Sequence, residues 1–162
     1  MADNFPKDTS HFKLLISDFD GTLAGVDHTV SSKVEKAVRK WISSGRHFSI
    51  ATGRQYLMIE DECLRLKLKT PVIVRGGAEV IDPTNGLILH SELIGVEAVS
   101  GILNLVEKSN LFFYGIEIDD VIYSNFAIEV PFPKITLKKL SEFEFRSVPK
   151  IHLKPKNDRF LR

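Results

Sequence analysis

The sequence predicts an α/β fold, with a parallel sheet flanked by helices in its first half and antiparallel α+β structure in its second. Three observations predict it. Strand-sized apolar runs alternate with helix-period segments between residues 14 and 74, two of those strands stop abruptly at "DFDGT" and "TGR", and hairpin signals replace the alternation after residue 77. Strand, helix, strand, helix, strand at such short spacing is the mark of right-handed βαβ units.

The first strand is "FKLLIS", an apolar run with the turn signal Asp-Gly just after it. A helix is expected from Ser32, where Ser32 and Glu35 have the spacing of a capping box and Val34, Ala37, Val38, Trp41 and Ile42 recur at helical period. Gly45 closes it as a glycine beyond a helix end does. "HFSIA" is a second short strand that runs straight into "TGR". A second helix is expected from about Gln55 to Leu66, ended by Pro71, which opens the strand "PVIV". Cys63 falls among Tyr56, Ile59 and Leu66 on that helix, so a packed thiol is expected rather than a nucleophile. Beyond residue 77, "AEVIDPTNGLILHSELI" forms a hairpin, Val96 to Lys108 a helix, and "LFFYGIEIDDVIYSNFAIEV" a hairpin pivoting on Asp119 and Asp120. "FEFRSVPKIHLKPK" adds one or two further strands.

Bulk properties narrow the function. A chain of 162 residues holds one domain with a core, or one domain and part of a second. Its 22 basic against 21 acidic residues leave a charge of +1, with no aromatics interleaved in a basic run, so no nucleic-acid partner is expected. No apolar stretch approaches the roughly 20 residues of a membrane span, and "MADNFPKDTS" lacks a signal-peptide core. The expectation is a soluble cytoplasmic protein with no membrane partner. The single cysteine excludes an internal disulfide and a cysteine-cluster metal site.

The chemistry gathers at the two strand ends, where open parallel sheets place their ligands. Continuing the first strand through Asp18, Phe19 and Asp20 puts both carboxylates on one side. Two like charges so close need a cation, and an oxygen-only site points to Mg2+, with water or substrate phosphate completing its shell. Gly21 permits a tight backbone approach, and the amides of Gly21 and Thr22 can point at a phosphate. One aspartate can then attack phosphorus while the other protonates the leaving oxygen and later activates water. Thr52 supplies a hydroxyl at the neighbouring strand end, and Gly53 and Arg54 open a helix whose amides favour an anion. Singly, Asp-Gly is a turn, Thr-Gly a helix start and a helix-start arginine a solvated charge. Their joint occurrence at successive strand ends is what points to catalysis.

These residues resemble the haloacid dehalogenase superfamily of phosphohydrolases, in particular its large-capped, Cof-type sugar-phosphatase branch. "LLISDFDGTL" is similar to the first motif of that superfamily and "FSIATGR" to the second. The resemblance implies a Rossmann-like core, of which residues 1–93 form the N-terminal part, and an inserted α+β cap beginning over residues 94–162. It implies Asp18 as nucleophile and magnesium ligand, Asp20 as general acid/base and carbonyl ligand, and Thr52 as holder of the transferring phosphoryl group. A second aspartate argues against dehalogenase chemistry, which has no leaving oxygen to protonate. "VIVRGGAEVID" looks like the segment that often carries Asn-Gly-Ala, with Gly76 where asparagine is usual, and "FFYGIEIDDVIYS" and "VPKIHL" look like opening strands of the cap.

Such enzymes also bring a lysine and a Gly-Asp-x-x-x-Asp-type segment from beyond the cap. No counterpart stands out in this sequence. "GIEIDD" suits a hairpin turn better than a metal site, and Lys138, Lys139, Lys150 and Lys154 suit a solvated face. The expectation is therefore a chain that stops partway through the cap and hydrolyses small phosphorylated metabolites weakly or not at all by itself. Two other readings stay open. One is a non-catalytic phosphatase fragment, self-associating through an exposed apolar core edge; the other is a phosphomutase, which returns the phosphoryl group to sugar.

Overall fold

A computed structural model of the chain describes residues 11–110, 112–126 and 134–156. The polar opening, residues 1–10, and the tail of the second expected hairpin, residues 127–130, lie outside them. Two parallel strands, β1 (Leu14–Ser17) and β2 (His47–Ile50), pair in register from Leu14 opposite His47 to Ser17 opposite Ile50. The helix between them, α1, spans Ser32–Ser43. Its cap is Ser31 rather than Ser32: the Ser31 hydroxyl accepts the Val34 amide at 3.3 Å, one residue earlier than the capping-box spacing suggested. Val38 is buried, and Val34, Trp41 and Ile42 pack on the same core, but Ala37 is exposed.

The second expected helix is shorter than its pattern. A single 3-10 turn over Tyr56–Met58 precedes α2, Glu60–Leu66, which ends where Lys67 turns left-handed at φ 58°. Cys63 is packed against the core, and burial pushes its thiol up to about 12, which removes it as a nucleophile at neutral pH. The third strand, β3 (Val72–Val74), meets the end of β2 through one parallel bridge, Ala51 to Ile73, and then joins β4 (Glu79–Ile81) and β5 (Ile88–Ser91) in an antiparallel sheet. Phe19, Ile50, Ile59, Leu66 and Val72 anchor this first core.

A second apolar cluster lies between α3 (Val96–Ser109) and a four-stranded sheet. That sheet comprises β6 (Phe112–Ile118), β7 (Val121–Ser124), β8 (Thr136–Lys139) and β9 (Lys150–Pro155), in the order β8-β7-β6-β9. β6 and β7 form the expected hairpin about Asp119 and Asp120. The sheet is mixed, not wholly antiparallel, because β7 and β8 run parallel. The sequence reading named no strand at β8. No described helix is long and apolar enough to cross a membrane.

Polar contacts hold the two halves together. Arg75, in the turn after β3, donates to Glu79 at 2.8 Å, to Glu117 of β6 at 3.3 Å and to the Asp119 carbonyl at 2.5 Å. Lys134 reaches Glu60 and Asp61 at the start of α2, and Lys150 donates to the Gly53 carbonyl at 2.5 Å. The β6–β9 face of the second sheet thereby stands over the ends of β1 and β2.

Candidate active site

β1 ends at Ser17, and the next three residues alternate as an extended chain would: Asp18 exposed, Phe19 fully buried, Asp20 exposed. Phe19 anchors the segment by accepting the amides of Leu23 and Ala24 at 3.1 and 2.8 Å. The tight turn that results needs the left-handed backbone of Gly21, at φ 74°. Its amide donates to the Ala24 carbonyl at 3.1 Å, and that of Thr22 points at the Phe19 carbonyl at 3.4 Å, so both are directed within the turn. Gly21 and Thr22 line a separate cavity beside α1 rather than the cleft that holds Asp20.

At the end of β2, Thr52 is buried, its amide bonded to Ile73 and its carbonyl accepting from Gly76. The Thr52 hydroxyl accepts the Arg54 amide at 3.2 Å. Gly53 and Arg54 do not open a helix as the sequence reading expected: α2 begins only at Glu60, and no helix-terminal row of amides lies at "TGR". The arginine acts through its side chain. Its guanidinium lies 4.8 Å from the Phe19 ring centre and grips Asp20 with two hydrogen bonds, Nε to Oδ2 at 2.8 Å and Nη2 to Oδ1 at 2.6 Å. His28 adds Nδ1 at 3.0 Å from Asp20 Oδ1. The Arg54 hydrogen bonds above all hold the Asp20 carboxyl below the ordinary aspartate range, against the opposing effect of burial and with smaller help from His28.

The Asp18 carboxylate makes no hydrogen bond among the described residues. The strand ends thus present one engaged and one unengaged carboxylate. Among the described residues no group of three or more carboxylate, imidazole or thiol side chains gathers that could hold a metal ion. The donors that are present are oxygens. They fit magnesium, which binds proteins through one or two carboxylates and keeps much of its water.

The sequence reading missed three residues of the site. Lys150, His152 and Lys154 line a cleft of about 510 Å³ with Asp20, Gly53 and Arg54. Their signal was the alternation Lys-Ile-His-Leu-Lys, which puts three basic side chains on one face of a strand. Lys150 had been assigned to a solvated face; the chain path sets it against the loop after β2. "GIEIDD" is a hairpin turn, as expected, and Glu117 within it is buried against Arg75 and His152.

The Arg54 grip has a measurable consequence. Arg54→Gln is expected to return the Asp20 carboxyl toward its ordinary range, an upward move, read by carbon NMR titration of the Asp20 carboxyl group. An unchanged midpoint would show that the guanidinium does not govern it.

Comparison with known proteins places these features. The sequence model of the haloacid dehalogenase-like hydrolases matches residues 15–160. Phosphatase YwpJ of Bacillus subtilis is 33% identical over 112 residues, 69% of this chain and 39% of that protein. Among solved structures, a haloacid dehalogenase-like hydrolase from B. subtilis is 32% identical with a TM-score of 0.64, over 72% of this chain and 40% of that one. Another such hydrolase, from Bacteroides thetaiotaomicron, shares the fold at 15% identity with a TM-score of 0.69, over 84% of this chain and 56% of that one. The chain spans less than half the length of the curated relatives it matches.

Proposed function

The chain belongs to the haloacid dehalogenase-like hydrolases, and on that premise we propose a magnesium-dependent, cytoplasmic phosphatase of their Cof-type branch that acts on small phosphorylated metabolites through an aspartyl phosphate. In this reading residues 1–93 are the N-terminal part of the core and residues 94–162 begin the cap. The observation that carries it is the asymmetry of the aspartate pair: Asp20 is bound by Arg54 and His28, and the Asp18 carboxylate has no partner among the described residues.

Asp18 attacks phosphorus in this scheme, and Asp20 moves the proton, first to the leaving oxygen and then from water. Thr52 binds a phosphoryl oxygen at the end of β2, with Gly53 and Arg54 beside it and Gly21 and Thr22 shaping the first loop. Magnesium would be held by Asp18 and the Asp20 carbonyl, and when bound would offset charge on the phosphoryl oxygens. The 162 residues alone turn over slowly, because no third carboxylate joins the pair among the described residues. Hydrolysis of p-nitrophenyl phosphate with and without magnesium tests the proposal. Slow, magnesium-dependent release of nitrophenol is expected, and a rate indifferent to magnesium would sink it.

A second reading, a non-catalytic module that associates, rests on β1. Leu14, Leu15 and Ile16 are consecutive, so they point to both faces of the sheet, yet all three are 46–47% exposed, and among the described residues β1 pairs only with β2. Such an edge invites another strand. A sizing column is expected to show concentration-dependent association that Ile16→Lys abolishes with an unchanged circular dichroism spectrum; a monomer at every concentration would remove the reading.

A further inference from the structure

The pairing register assigns residues to the two faces of the second sheet. Across β6 and β9, Phe113 stands opposite Lys154, Gly115 opposite His152 and Glu117 opposite Lys150. Alternate residues share a face, so Lys150, His152 and Lys154 stand with Gly115 and Glu117, while Tyr114, Ile116 and Ile151 pack toward α3. The basic face is one wall of the cleft; Asp20, Gly53 and Arg54 belong to the other.

The two acids of this cleft are already neutralised. Asp20 is held by Arg54 and His28, and Glu117 by Arg75 and His152. Lys154 is not so matched. Lys150 donates to the Gly53 carbonyl and lends its charge to Glu117, whereas Lys154 forms no ion pair among the described residues. The Lys154 ammonium group therefore remains in surplus on the same wall as Lys150, in a cavity of a size suited to a small metabolite. Four residues of strand separate the Cα atoms of the two lysines by roughly 13 Å, and Lys150 marks the end nearest the phosphate loop. Gly115, opposite His152, lies between them, and a Cβ there would be crowded by β7, 3.3 Å from the Tyr123 carbonyl oxygen.

We propose that Lys154 is a specificity residue that takes a second anionic group, phosphate or carboxylate, at the far end of a small phosphorylated substrate. The inference rests on the phosphatase reading, which places the reacting phosphoryl group at Asp18, beside Gly53 and Lys150. It assigns the substrate class: phosphorylated acids and bisphosphates on a skeleton of a few carbons, in preference to monophosphates of neutral sugars.

Calorimetric titration of the whole chain with magnesium and three probes tests it. Fructose 1,6-bisphosphate and 6-phosphogluconate carry a second anion, of the two kinds, and glucose 6-phosphate carries none. The doubly anionic probes are expected to bind about tenfold or more tighter than glucose 6-phosphate. The probe with the larger advantage tells phosphate from carboxylate. Lys154→Met is expected to erase the advantage and leave glucose 6-phosphate within about twofold of its original affinity, whereas Lys36→Met, on the exposed side of α1, changes none of the three. Equal binding of all probes to the unmodified chain, an advantage that survives Lys154→Met, or an equal loss for all three overturns the assignment while the phosphatase reading stands. If no probe binds, the phosphatase reading fails and takes the assignment with it.

Discussion

Asp18→Asn is expected to bring magnesium-dependent hydrolysis of p-nitrophenyl phosphate down to the uncatalysed blank, whereas Asp20→Asn leaves a remnant lowered by about 10²- to 10⁴-fold. The difference follows from what each carboxylate can do where it stands. Asp18 follows the last residue of β1 and is exposed, and its carboxylate has no hydrogen-bonding partner among the described residues. An amide there lacks the negative charge to attack phosphorus, and its neutral oxygen binds a hard cation less strongly than a carboxylate does. Asp20 is locked by two hydrogen bonds to Arg54, so its carboxylate is oriented but not offered for attack. Losing it removes proton transfer and leaves the covalent route in place. The pH dependence carries the same distinction: a carboxyl held below its ordinary range stays ionised far into acid, so the acid limb of the rate is expected to move upward in Arg54→Gln. Equal residual rates in the two aspartate variants would refute the division of roles.

Legibility in the sequence divided along physical lines. The strand ends were readable because their signals are local: an apolar run, an i, i+2 acid pair about a buried Phe19, and a glycine at positive φ. The packed thiol of Cys63 followed from helical period alone. Helix boundaries were misread where side chains and backbone compete. Ser31 and Ser32 are equivalent by composition, and only the bond to the Val34 amide separates them. The stretch after "TGR" has helical period, but Thr52 and Arg54 bond to Ile73, Gly76 and Arg75 and only a 3-10 turn follows them, so α2 starts late. The cleft's second wall was not readable at all from local pattern. It depends on β9 pairing with β6 across more than thirty intervening residues, and on Arg75 bridging from β3 to β6. Periodicity showed that Lys150, His152 and Lys154 share a face. It could not show what that face looks at.

That bridge supports the other large effect, on stability: Arg75→Met is expected to cost about 3–5 kcal/mol, a fall in Tm of roughly 6–20 °C by thermal denaturation. Arg75 occupies a left-handed backbone position, φ 54°, which costs an ordinary side chain about 1–2 kcal/mol and which glycine would occupy freely. The sequence keeps an arginine there, and its contacts explain the choice. Glu79 and Glu117 are both buried, and the guanidinium bonds to each as well as to the Gln55 carbonyl oxygen and the Asp119 carbonyl. Removing it strands two carboxylates in a region from which water is excluded. Burial by itself pushes the Glu117 carboxyl up, but the His152 hydrogen bond and charge, joined by Lys150 and Arg75, hold it below the ordinary glutamate range. A carboxyl lowered in the folded state contributes stability that is complete above its unfolded value and is lost as pH falls through the folded one. The unmodified chain is therefore expected to lose stability below about pH 4.3, and Glu117→Gln to lose less over the same interval. Combining Glu117→Gln with Arg75→Met should recover part of the lost Tm, because one of the two stranded charges is gone. Additive losses in the double variant would mean that arginine and glutamate act separately, and the bridge between the two halves would have to be sought in Lys134 or Lys150 instead.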